Sequence, residues 1–118
     1  MKITCVGILA SFIFFIHIEV QGQSYKSLVS QGDSSYYKKN YTKASKAYNE
    51  AYKLIKKPGA QHLNFIYRYG YSEMQNGNYT EAVNYLKSSL QVNPDFTTAS
   101  ANLSDCYRAM SNPTKAKK

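Results

Sequence analysis

A three-residue word recurs at a fixed distance in this chain, and the recurrence restricts the fold more than any other feature. Asn40-Tyr41-Thr42 returns as Asn78-Tyr79-Thr80, an offset of 38 residues. The same offset relates small and apolar residues over the whole unit: Gly32 to Gly70, Ala44 to Ala82, Leu28 to Ile66, and Tyr48 to Leu86. Self-similarity at one fixed period predicts a repeat protein, in which each unit packs on its neighbours.

Within each unit, the apolar and small residues follow helical spacing on either side of a polar break. In the second unit Ile66, Gly70 and Met74 precede the break at residues 76–78, and a second helical pattern runs over residues 79–90. The chain has only 3 Pro and 6 Gly, few for a fold with many turns. The pattern predicts an all-α fold of antiparallel helix pairs, with repeats at about 25–58 and 63–96 and a partial repeat at 97–118.

Two of the recurring residues are glycines in the middle of predicted helices. Glycine costs about 1 kcal/mol against alanine at such a position. The missing side chains of Gly32 and Gly70 predict that another helix crosses closely there. Ala44 and Ala82 are the small residues that we expect to face them.

The second unit resembles the tetratricopeptide repeat family. The resemblance is carried by Gly70, the run from Gly77 to Ala82, Leu86, Ser89-Leu90 and Asn93-Pro94. The first unit is similar through Gly32, Tyr41, Ala44, Tyr48 and Ala51, but Lys56-Lys57-Pro58-Gly59 replaces the usual tight closure. The resemblance implies an α-solenoid of about two and a half repeats in the domain 23–118, and a role in holding another polypeptide.

The first 22 residues have the composition of a secretory signal peptide. Lys2 gives a positive start, a nearly continuous apolar run extends from Ile3 to Ile16, and Val20-Gln21-Gly22 suits a peptidase. The run is shorter than the ~20 residues that span a bilayer. We therefore expect an exported protein, periplasmic or secreted, that begins at Gln23. The alternative is an uncleaved membrane anchor.

The resemblance also implies which residues line the inner, concave wall of the solenoid. A groove of tyrosine and methionine is apolar and adaptable, and it suits a peptide or a helix. The alternative is that several of these tyrosines pack between the repeats. The predicted partner-binding residues are Tyr36, Tyr37, Asn64, Tyr67, Tyr71, Met74 and Arg108.

The net charge of +8 and the sequence pI of about 9.5 raise the question of an anionic partner. Nucleic acid is the common partner of so basic a chain, but predicted export argues against it. Solvated lysine faces on the helices are one explanation. Weak contact with an anionic surface, namely a lipid, a glycan or an acidic protein, is the other.

Residues for catalysis or metal binding are scarce. Outside the signal segment only His62 and Cys106 have metal-ligating or nucleophilic side chains other than carboxylates and hydroxyls, and they are far apart in sequence. We expect His62 to be a solvated loop residue and Cys106 to be a small buried side chain. The sequence therefore predicts no metal, no cofactor and no enzymatic activity.

Two functions remain from the sequence. The first is an exported scaffold that binds a peptide or protein partner in its concave groove. The second is the N-terminal sensory part of a longer signalling protein, such as a membrane histidine kinase.

Overall fold

The computed structural model describes residues 24–111, which form five α-helices and no β-strand. A one-turn 3₁₀-helix, Ala60–His62, precedes the third α-helix. The predicted all-α fold is confirmed, whereas the predicted signal peptide at 1–22 and the predicted turn at 112–118 lie outside the described residues. In chain order the helices are α1 over residues 24–37, α2 over Tyr41–Tyr52, α3 over Leu63–Gln75, α4 over Tyr79–Val92 and α5 over Thr97–Ser111.

The helices are arranged as an α-solenoid of antiparallel pairs. The first pair is α1 and α2, the second is α3 and α4, and α5 begins a third unit. Helix α3 packs on both α2 and α4, while α4 also packs on α5, so each unit lies against the next one along the chain. Within residues 24–111, no helix has the length and apolar character needed to cross a membrane.

The two turns within the pairs have the same geometry, 38 residues apart. The amide of Asn40 donates to the carbonyl of Ser35 at 2.8 Å, and the amide of Asn78 donates to that of Glu73 at 2.9 Å. These bonds close helix ends whose next residue has a positive φ, as in a Schellman motif. That residue is Gly77 in the second turn, with φ of 82°, but Lys39 in the first, with φ of 61°.

Each pair encloses its own apolar core, and the cores share residues at equivalent positions. The first core contains Ala44, Tyr48, Ala51, Phe65, Ile66 and Tyr69, and the second contains Ala82, Val83, Leu86, Ala99 and Cys106. Burial of this surface supplies most of the folding free energy, because an apolar side chain contributes roughly 1.5–3 kcal/mol when it is fully buried. Cys106 is fully buried, as the sequence predicted.

The recurring glycines lie where the two helices of a pair cross. A Cβ atom on Gly32 would lie 2.5 Å from the ring of Tyr48, and one on Gly70 would lie 3.1 Å from Cγ of Leu86. The predicted close crossing is confirmed. The expected partners were wrong, because Tyr48 and Leu86 rather than Ala44 and Ala82 meet the glycines. The large side chains fill the space that the missing Cβ atoms leave.

The connection between the units contains the extra residues that break the repeat. Its end is closed by His62, whose Nδ1 accepts a hydrogen bond from the amide of Gly59 at 3.0 Å. The His62 ring lies edge-on to Tyr25 and Phe65, with centroids 6.0 Å and 6.2 Å away. The expectation of a solvated loop residue was therefore wrong: His62 is half-buried and fixes the entry to α3.

Candidate functional site

A continuous row of aromatic rings crosses the face that α1 and α3 share and reaches the start of α5. Neighbouring ring centroids are separated by 5.5, 5.8, 6.2 and 4.9 Å. Most neighbouring rings meet edge to face or tilted, arrangements that aromatic quadrupoles favour. We call this row the aromatic ladder; in order its members are Tyr37, Tyr36, Tyr71, Tyr67 and Phe96.

The ladder joins residues that are distant in sequence because the helices lie side by side. Tyr36 and Tyr37 come from the last turn of α1, and Tyr67 and Tyr71 are one turn apart on α3. Phe96 is the residue before α5. Four of the predicted partner-binding residues are thus brought into one contiguous surface.

The rings differ in how far solvent reaches them. Tyr37 is 67% exposed, whereas Tyr36, Tyr67 and Tyr71 are half-buried. Tyr36 packs on Tyr41, at 5.9 Å between centroids, as well as on its ladder neighbours. Both readings of the tyrosines therefore hold in part: the half-buried rings pack between repeats and still present an edge to solvent.

A cation and a carboxylate support the α1 end of the ladder. Arg68 of α3 donates from Nη1 to Oδ1 of Asp33 at 3.0 Å, and its guanidinium lies 5.2 Å from the ring centroid of Tyr37. The same guanidinium lies 5.8 Å from the ring centroid of Tyr36. Cation–π contact of this kind holds the rings against α3. Arg68 therefore orders the ladder while its charge is balanced by Asp33.

A second contact between helices fixes the other end. Asn102 of α5 donates from Nδ2 to Oη of Tyr67 at 2.8 Å. The bond occupies an acceptor site on the hydroxyl and leaves its proton free to be donated. Tyr67 therefore links α3 to α5 and retains a donor for a ligand.

Every ladder tyrosine with a resolved shift has a raised pKa. Burial raises the pKa of Tyr36 to about 12, helped by neighbouring tyrosines and opposed by Arg68. Burial is also the main cause of the raised pKa of Tyr67 and of Tyr71. These phenols are therefore protonated across the physiological range, and they can donate hydrogen bonds to carbonyl oxygens.

Three predicted site residues lie away from the ladder. Asn64 is exposed and lines a cleft of about 410 Å³ between α1 and α3, together with Arg68. Met74 is half-buried and packs against the second core. Arg108 is exposed on α5, where Nη2 lies 3.0 Å from Oδ1 of Asp105. The structure does not join these three into one surface with the aromatic rings.

Sequence reasoning omitted three members of this surface: Tyr41, Phe96 and Asn102. Tyr41 begins α2 and Phe96 lies in a loop, outside the helices that we expected to line the wall. Asn102 reaches Tyr67 across 35 positions of sequence. A signal for it was present in the near-repeat spacing, but the choice of partner depends on how the units stack.

Comparison with known proteins now places this architecture. Residues 73–118 match the family model of the tetratricopeptide repeat. The match covers the last turn of α3 and all of α4 and α5. No curated protein and no solved structure matches the chain.

The tetratricopeptide repeat supports the family that the sequence indicated, and such repeats are typically non-catalytic scaffolds that mediate protein–protein interactions. Residues 24–111 contain no cluster of His, Cys, Asp and Glu side chains that could hold a metal ion. The contacts that shape the face of α1, α3 and α5 are aromatic packing and hydrogen bonds, and both suit recognition of a polypeptide.

Proposed function

We propose that this protein is an exported scaffold that binds a peptide or an unstructured segment of a partner protein along the aromatic ladder. The ladder carries the proposal because it is contiguous across the units and retains exposed rings. Tyrosine offers a large contact area at a low cost in conformational entropy, since its side chain has only two χ angles.

The hydrogen-bonding character of the surface supports a polypeptide ligand. The ladder phenols and the amide of Asn64 supply donors, while the nearest carboxylate, Asp33, already accepts bonds from Tyr48 and Arg68. An extended backbone presents a carbonyl oxygen at every residue. A donor-rich aromatic wall can hold such a chain without requiring one particular side-chain sequence.

The test is affinity capture of partners with the full chain and with two matched variants. Tyr37→Ser removes the most exposed ladder ring, whereas Tyr107→Ser removes a ring that is 43% exposed on α5 outside the ladder. We expect Tyr37→Ser to weaken retention of the partner at least tenfold and Tyr107→Ser to leave it unchanged. Equal retention by both variants would contradict binding along the ladder.

Export is a separate part of the proposal and rests on residues 1–22 alone. The protein recovered from outside the cytoplasm of the producing cell should begin at Gln23, which a mass measurement decides. A chain that keeps Met1 and remains with the membrane would support the anchor instead.

A further inference from the structure

The end of the domain at which α1 begins carries an exposed leucine among lysines. Leu54 is 53% exposed, and Lys53, Lys56 and Lys57 around it are exposed as well. We propose that these four residues, which we call the basic tip, contact the surface of a membrane that contains anionic phospholipid.

The tip lies beside the point at which the leading segment joins the domain. Tyr25, near the first described residue, borders a cleft of about 400 Å³ with Leu54, Ile55 and Lys56. Residues 1–23 continue from this end of α1, and they include the apolar run from Ile3 to Ile16. Whatever membrane that segment inserts into during export therefore meets the basic tip first.

Charge is strongly segregated towards this unit. Residues 24–58 contain 8 lysines and 2 acidic residues, whereas residues 59–111 contain 3 basic and 4 acidic ones. Lys53 pairs with Glu50 at 3.1 Å, but Lys56 and Lys57 form no ion pair with any residue between 24 and 111. Two lysines at the tip are therefore available to an external anion.

The composition of the tip favours a membrane over other polyanions. Lysines near a bilayer are attracted by anionic headgroups, and a flanking leucine can enter the boundary between headgroups and acyl chains. Tyrosine is enriched at the same depth. Nucleic acid or an acidic protein would use the lysines but would have no use for the exposed Leu54 side chain.

Membrane contact at the tip leaves the aromatic ladder accessible. Tyr37 lies at the opposite end of α1, twelve residues beyond Tyr25, which corresponds to about 18 Å along a helix. A scaffold tethered by its tip would thus present its inner wall to a partner beside the membrane.

The first experiment measures partitioning of the full chain into phosphatidylcholine vesicles with and without phosphatidylglycerol. Neutral vesicles report what the leading segment contributes. Lys56→Glu with Lys57→Glu reverses charge at the tip, and Lys38→Glu with Lys43→Glu makes the same change at the far end. We expect the tip variant to lose at least tenfold of the phosphatidylglycerol-dependent affinity, since each lysine near such a surface contributes about fivefold. The control should lose less than about threefold, because salt screens distant charges. Equal losses would overturn the proposal.

The second experiment locates the leucine itself. The chain contains no Trp, so Leu54→Trp introduces a single fluorescent probe at the tip, and Tyr37→Trp places one on the ladder. Vesicles with phosphatidylglycerol should shift the emission of Leu54→Trp to shorter wavelength and leave that of Tyr37→Trp unchanged. The proposal fails if neither emission shifts. It also fails if poly-aspartate binds the wild type as tightly as the vesicles do and Leu54→Ser weakens neither interaction.

Discussion

Asp33 accepts two hydrogen bonds at the same oxygen, one from Tyr48 Oη at 2.6 Å and one from Arg68 Nη1 at 3.0 Å. The carboxylate thus joins the buried ring that faces Gly32 to the guanidinium that supports the aromatic ladder. Core packing in the first unit and the shape of the candidate site depend on one side chain, and their coupling can be measured.

Asp33→Ala should destabilise the protein by about 2–3 kcal/mol, because it leaves a buried hydroxyl and a half-buried guanidinium without their acceptor. Tyr48→Phe should cost about 1 kcal/mol. Chemical denaturation of both variants and of the double variant gives the coupling. We expect the double variant to cost at least about 0.5 kcal/mol less than the sum. Strict additivity would mean that the bond contributes nothing to stability.

Gly32→Ala should destabilise the fold by about 2 kcal/mol, since the new methyl group would lie 2.5 Å from the ring of Tyr48. The ring is fully buried and held by Asp33, so overpacking outweighs the gain of about 1 kcal/mol in helix propensity. Ser34→Ala on the exposed side of α1 is the control and should change stability by less than about 0.5 kcal/mol. A more stable Gly32→Ala variant would show that α1 can move away from α2.

Lys39→Gly should stabilise the protein by about 0.5–1 kcal/mol, because Lys39 has a φ of 61° that costs strain in any residue with a Cβ. The equivalent Gly77 has nothing near its missing Cβ, so Gly77→Ala tests backbone strain alone. That variant should lose about 1–2 kcal/mol. Thermal unfolding of both variants reports the opposite signs, and a shift of both in the same direction would contradict the repeated turn geometry.

Tyr36 should make stability depend on pH in the alkaline range. Burial raises its pKa from 10.0 to about 12 in the folded protein, so folding favours the protonated phenol. This contribution is fully present below pH 10 and is lost as pH rises from 10 towards 12. Denaturation at successive pH values should show a smaller loss for Tyr36→Phe than for the wild type. Identical profiles would place the Tyr36 hydroxyl in water.

Cys106 should react slowly with thiol reagents in the folded protein. Its side chain is fully buried, and burial, with help from Asp105, raises the pKa of the thiol and so depletes the reactive thiolate. In a Cys5→Ser background we expect labelling at least about 100-fold slower than in denaturant. Ala101→Cys, exposed on the same helix, is the control when Cys106→Ser is added. Rapid labelling of Cys106 would mean that α5 detaches from the solenoid.

Much of the fold followed from the sequence because its signals are local. Gly32 and Gly70 predicted close helix crossings, and Asn40 and Asn78 marked the turns, since backbone geometry and capping depend on a few adjacent residues. The side chains that meet the glycines were misassigned. Helical spacing shows which face is buried, but the height at which Tyr48 or Leu86 crosses the other helix depends on the packing of the whole pair.

The candidate site divides in the same way. Tyr36, Tyr37, Tyr67 and Tyr71 could be selected by their positions on predicted helices. The contacts of Tyr67 with Asn102 and of Arg68 with Asp33 could not, because they join residues 35 positions apart. Such pairs depend on the rotation of one unit against the next, which no single helix determines.

The sequence by itself determined that this chain is a helical repeat with a distinct leading segment, because periodicity and composition act over short stretches of chain. Only the tertiary structure decided which tyrosines form a continuous surface, which are buried in the core, and that Leu54 lies among lysines beside the start of α1. Those outcomes depend on distances between helices, and the stacking of the units sets those distances.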